Sequence, residues 1–124
     1  KCVDAVDANE STITVWGDGS ASREFLFVRD ATEAILLSAE KYNSSEPVNI
    51  GSSEEITIRD LVTIIAQQTG YMGKIKWDTS KPNGQPRRKL DTTKANKEFG
   101  FVSKTSFEVG LRETISWYKK SRGN

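Results

Sequence analysis

The chain has 124 residues, with 18 Lys+Arg against 17 Asp+Glu, no histidine and a single cysteine, Cys2. The length suits one domain with a modest core, and 35% hydrophobic against 28% charged residues suits a globular class with a large wet surface. No Ser-His-Asp or Cys-His nucleophile, imidazole metal site, internal disulfide or cysteine zinc site can be built from this composition. Residues 1–9 read as the end of a helix, with Val3 and Val6 three apart and Asn9 as the stop. Thr12–Trp16 alternates and is β-branched, so it predicts a strand, and 23–28 predicts a second. The turn-rich run Gly17-Asp18-Gly19-Ser20-Ala21-Ser22 between them predicts a hairpin. If Trp16 and Arg23 face each other across that loop, Thr14, Trp16, Arg23 and Phe25 share one face.

Asp30-Ala31-Thr32-Glu33 resembles a capping box, and Ala31, Ala34, Ile35, Ala39 and Tyr42 then fall on one helical stripe, flanked by Leu36 and Leu37. Residues 47–51 predict a short strand. Thr57-Ile58-Arg59-Asp60 is a second cap-like start, followed by a buried face of Ile58, Leu61, Val62, Ile64, Ile65 and Ala66 and a stop at Gly70. Residues 74–77 predict a strand, and 78–91, with two prolines, a glycine and four bases, a long irregular loop. Thr93–Phe99 reads as a short helix stopped by Gly100. Residues 106–120 form a final helix with Phe107, Leu111, Ile115 and Tyr118 on one stripe, and 121–124 a frayed tail. This order predicts an α/β fold of α+β character: a small mixed sheet with a hairpin and about four helices, in one domain over 1–124. No apolar run approaches the roughly 18 residues of a membrane span. No signal-peptide pattern opens the chain, and a cytoplasmic setting is expected.

The balanced charge conceals a polarity. Residues 30–60 hold seven acids against two bases, a local −5, and residues 74–104 hold nine bases against three acids, a local +6. A solvated face explains such runs, and so does a footprint for an anionic ligand. No recognised nucleic-acid motif accompanies the basic stretch, so nucleic acid is not expected as a partner. Gly17-x-Gly19-x-x-Ser22 lacks the third glycine of a dinucleotide fingerprint and precedes a strand-like run instead of a helix. Tyr42, Tyr71 and Tyr118 are followed four residues on by Glu46, Ile75 and Arg122, so the chain has no Tyr-x-x-x-Lys pair. Glu54-Glu55 suits a helix start better than an acid–base dyad.

Three features carry binding chemistry. Trp16 with Arg23 offers an aromatic face beside a guanidinium, suited to a flat base or sugar next to a phosphate; core packing and a carboxylate bridge are the alternative. The run from Lys81 through Pro82, Asn83, Gly84, Gln85 and Pro86 to Arg87-Arg88 is stiffened by prolines. Paired arginines there can fork onto a diphosphate, or the run can be a solvated basic loop. Asn49, in Val-Asn-Ile-Gly, calls for a hydrogen-bonded role, of which bonding to a neighbouring loop is the plainer.

The run Val15-Trp16-Gly17 through Arg23-Glu24-Phe25-Leu26-Phe27-Val28-Arg29-Asp30 resembles a segment of the extended short-chain dehydrogenases acting on nucleotide sugars, the NAD-dependent epimerase/dehydratase family. Val48-Asn49-Ile50-Gly51 is similar to their Asn-Val-Gly strand. Trp77-Asp78-Thr79-Ser80-Lys81-Pro82-Asn83-Gly84-Gln85-Pro86-Arg87-Arg88-Lys89-Leu90-Asp91 looks like the corresponding loop of GDP-L-fucose synthases, and the segment from Phe107 to Tyr118 like their final helix. The resemblance implies the C-terminal, sugar-nucleotide-binding lobe of such an enzyme, without its Rossmann domain. NADP(H) would belong to the full-length enzyme and not to this chain, and the catalytic Ser, Tyr and Lys would lie outside it. It implies substrate contacts at Trp16, Arg23, Asn83 and Arg88, a nucleotide diphosphate sugar as partner, and no turnover by this chain alone. Arg88 stands where the family has Lys, Asn83 where it has Asp, Phe27 where it frequently has His and in other relatives Tyr, and Arg29 where it has Asp. The alternative is a stand-alone module that associates with itself or with a separate Rossmann-domain chain.

Overall fold

The computed structural model describes residues 1–123, ordered as α1 (Cys2–Asp7), β1 (Thr12–Trp16), β2 (Ser22–Glu24), α2 (Val28–Lys41), β3 (Glu55–Thr57), α3 (Ile58–Thr69), β4 (Lys74–Asp78), β5 (Arg87–Arg88), α4 (Thr93–Phe99) and α5 (Phe107–Arg122). These make a mixed α/β fold with two small sheets and, among the described residues, five helices. β1 pairs in parallel with β4, while β2 lies between an antiparallel β3 and a parallel β5.

The predicted hairpin does not form. The carbonyls of Gly19 and Ala21 accept from the N–H groups of Arg59 and Ile58 at the start of α3, at 3.0 and 2.8 Å. That docking holds the glycine loop open and carries β2 into the second sheet. Trp16 therefore faces Asp78, and Arg23 faces Ile56 and Arg88. The second strand is also shorter than 23–28, because α2 begins at Val28.

α3 follows its local signals. The Thr57 hydroxyl accepts from the Asp60 N–H at 3.0 Å, and Gly70 takes the left-handed C-cap conformation at φ 79°. α2 departs from them. Its N-cap is Phe27, and Asp30 does not cap its own helix. Instead the buried Asp30 carboxylate accepts from the Ser103 and Thr105 hydroxyls, at 2.7 and 3.0 Å. It also accepts from the Lys104 and Thr105 N–H groups, at 3.2 and 2.9 Å. Burial opposes ionisation of Asp30, but those donors outweigh it and hold its pKa below the ordinary carboxylate value.

Two small cores result. Cys2, Ala5, Ile13 and Tyr71 close one, under α1, β1 and α3. Ala34, Ala95, Phe99 and Phe101 close the other, between α2 and α4. Only part of the predicted α2 stripe is used, since Ala34 is buried while Ile35 and Leu36 are exposed. Residues 47–51 form no strand. Val48 and Ile50 pack on the second core, but none of residues 43–54 makes a backbone–backbone hydrogen bond among the described residues. β3 escapes the sequence reading, as three residues are too few for a period. The predicted fraying falls partly on α5, which continues to Arg122, and partly on Asn124, outside the described residues.

Candidate functional site

The segments 12–23 and 74–88 run side by side in the same direction. Trp16 faces Asp78 and Arg23 faces Arg88, so the second segment spends ten residues where the first spends seven. The three extra residues raise a bulge after Asp78, and its tip returns along the glycine loop. The Lys81 ammonium sits 5.7 Å from the Trp16 ring centre. The Asp18 N–H donates to Asn83 Oδ1 at 2.8 Å, and the Ser22 N–H to the Pro86 carbonyl at 2.9 Å. Arg23 Nη1 donates to the Gln85 carbonyl at 2.8 Å and to the Ser22 carbonyl at 2.6 Å.

Gly17 and Gly19 both take positive φ, near 80°. A Cβ on Gly17 would come within 2.1 Å of Asn83 Oδ1, so a glycine is required for the basic loop to lie this close.

All four residues singled out from the sequence lie along this seam. Trp16 is two-thirds exposed. Arg23 and Arg88 are direct neighbours in the β2–β5 ladder, and facing residues of a parallel pair project from the same side of the sheet. The Arg88 side chain makes no hydrogen bond or ion pair among the described residues, whereas that of Arg23 is anchored through the Gln85 carbonyl. Asn83 uses its carbonyl oxygen on Asp18. Asn49 sits outside any strand and donates to the Asp91 carbonyl at 3.4 Å, the loop-bonding role expected of it.

The opposite face of the same sheet neutralises part of the basic stretch. Glu55 accepts from Arg87 Nε and Nη2, both at 2.8 Å, and from the Ser22 hydroxyl at 2.5 Å. Lys104 pairs with Glu33 at 2.5 Å. The acidic and basic runs thus meet in part, and Arg88 remains free to meet an anion. The hydrogen bonds from Arg87 and then Ser22 bring the Glu55 pKa down to about 2, from an ordinary 4.5. A carboxylate with a depressed folded pKa lends stability above its unfolded value and loses it as the pH falls. The tie between β3 and β5 is therefore expected to hold at neutral pH and to slacken between about 4.5 and about 2. Carbon-13 titration of the Glu55 carboxyl checks this, with a midpoint near 2 expected and a midpoint near 4.5 contradicting it.

The sequence reading missed Lys81 as the neighbour of Trp16, and it missed Glu55, taken there for a helix-start charge. The Gly17–Ser22 run leads into β2 and not into a helix N-terminus, so it forms no glycine-rich phosphate cradle for a dinucleotide cofactor. A concavity of about 830 Å³ lies elsewhere, lined by Phe25, Phe27, Leu61, Phe107, Leu111 and Trp117, and includes none of the four candidate residues. No helix among the described residues is long and apolar enough to cross a membrane.

Fold and seam together define a mixed α/β unit in which a basic loop lies along a glycine loop. Residues 1–114 match the GDP-mannose 4,6 dehydratase family, and the chain belongs to it. It is 40% identical over 115 residues to a probable GDP-L-fucose synthase 1 of Oryza sativa subsp. japonica, covering 93% of this chain and 35% of that protein. It is 41% identical over 109 residues to GDP-L-fucose synthase 1 of Arabidopsis thaliana, covering 88% and 33%. The crystal structure of a GDP-L-fucose synthetase from Naegleria fowleri superposes with a TM-score of 0.91 at 28% identity, over 100% of this chain and 38% of that one. A second structure of that protein, bound to NADP, gives a TM-score of 0.90 at 28% identity, over 99% and 39%. The chain thus spans about a third of the length of the curated relatives it matches.

Proposed function

We propose that this chain is the nucleotide-sugar-binding, C-terminal portion of an NADP-dependent epimerase/reductase resembling GDP-L-fucose synthase. The parent reaction would epimerise a 4-keto sugar and reduce it by hydride transfer, with cofactor and catalytic groups outside residues 1–124. The observation that carries the reading is the β2–β5 register, which sets Arg23 beside Arg88. Two guanidinium groups projecting from one face suit a diphosphate, whose charge is spread over several oxygens. Trp16 supplies a flat apolar surface for a base or sugar, and the Asn83 amide nitrogen a donor, since its oxygen is held by Asp18. Titration calorimetry with GDP-L-fucose and with inorganic phosphate tests this. Tighter binding of the nucleotide sugar is expected, and equal affinity for the two would contradict it.

The second reading, a module that associates with itself or with a separate Rossmann-domain chain, draws on a different observation. Val28, Ile35 and Leu36 of α2 are each about two-thirds exposed, as is Trp117 at the apolar concavity. On that reading sedimentation velocity shows self-association rising with concentration, and a clean monomer throughout would count against it.

A further inference from the structure

Arg59 lies in neither segment of the seam, yet it touches both. Its Nη2 donates to the Asp18 carbonyl, and its backbone N–H donates to the Gly19 carbonyl at 3.0 Å. Its guanidinium stacks over the Trp77 ring at 4.6 Å from the centroid, and Trp77 is the next-to-last residue of β4, in the second segment of the seam. The third side of this stack is Gly19, where a Cβ would come within 2.7 Å of the Trp77 ring and 3.1 Å of Arg59 Cβ. The loop bearing Asp18 is thus fixed from one side by Arg59 and from the other by Asn83.

We propose that Arg59, stacked on Trp77, is the positioning residue that holds the 12–23 and 74–88 segments in the register that sets Arg23 beside Arg88. This rests on the reading of the seam as the ligand site, but the positioning itself can be measured without ligand. α3 is closed by its own caps and packs through other residues, so loss of the Arg59 side chain leaves the helix in place. What it removes is one charge-assisted hydrogen bond and one cation–π contact, both made to the seam.

The test is amide hydrogen exchange on the intact chain, comparing Arg59→Ala and Arg59→Lys with the parent. Asp18 and Ser22 are the amides that bond across to the basic loop, and Gly100, bonded to the Asn96 carbonyl at 2.9 Å, is the remote control. In Arg59→Ala, exchange at Asp18 and Ser22 is expected to accelerate roughly tenfold while Gly100 stays unchanged. Lysine keeps a cation over Trp77 and one donor for Asp18, so Arg59→Lys is expected to recover most of the protection. Unchanged exchange at Asp18 and Ser22 would overturn the proposal. So would equal acceleration at Gly100, or no recovery in the lysine variant. Affinity for GDP, measured in parallel, separates the two readings: a parent chain that binds no GDP tells against the ligand site, while the exchange pattern alone decides the role of Arg59.

Discussion

Replacing Asp30 by alanine is expected to lower the melting temperature by about 10 °C. Asp30 is 5% exposed and receives four hydrogen bonds from residues 103–105, which lead from α4 into α5. Alanine leaves two backbone N–H groups and two hydroxyls without their acceptor in a partly buried turn. Breaking such a charged, hydrogen-bonded cluster costs about 3 kcal/mol. In a domain of this length each kcal/mol displaces the midpoint by about 4 °C. Asp30→Asn keeps one acceptor oxygen and is expected to lose about half as much. Calorimetric melting of the two variants checks the order; an alanine variant within about 2 °C of the parent would mean that the turn is held by other contacts.

Arg23→Gln and Arg88→Gln are each expected to weaken GDP binding roughly tenfold, the scale of one lost charge-assisted fork. Their effects on stability should differ. Arg23 anchors the basic loop through the Gln85 carbonyl, so its loss also loosens the seam. The Arg88 guanidinium bonds to nothing among the described residues, and its replacement should leave the melting temperature unchanged. Because both cations act on one diphosphate, the double variant is expected to depart from the product of the single effects. Arg88→Lys keeps the charge but loses the fork, and should fall between Arg88→Gln and the parent. A titration in which Arg88→Gln binds GDP as tightly as the parent would remove Arg88 from the site.

The parts legible in the sequence were those whose signals are local. α3 could be read because Thr57 and Gly70 sit at its own ends. The hairpin misled because its turn chemistry is equally suited to a loop docked on a helix start, and strand choice was decided by a partner far along the chain, Lys74–Asp78. Asp30 looked like a cap because a capping box is a short-range pattern, while its true partners are more than seventy residues away. The stretch 47–51 has a strand's composition, but among the described residues it pairs with no strand. In the seam, Trp16, Arg23, Asn83 and Arg88 stood out by chemical type and by resemblance. Arg59 did not, since one arginine in an acidic stretch gives no hint that it stacks on Trp77. The only sequence trace of that stack is Gly19, whose need for a bare backbone is invisible until the ring lies against it.

Nitrogen–proton spectroscopy of the arginine side chains gives the most direct test. With GDP titrated into the chain, the Nε–H resonances of Arg23 and Arg88 are predicted to shift together and to saturate at the same nucleotide concentration, while that of Arg122, bridged to Asp4 and Asp7, stays still. A shift of only one of the two, or of neither, would contradict a shared diphosphate site.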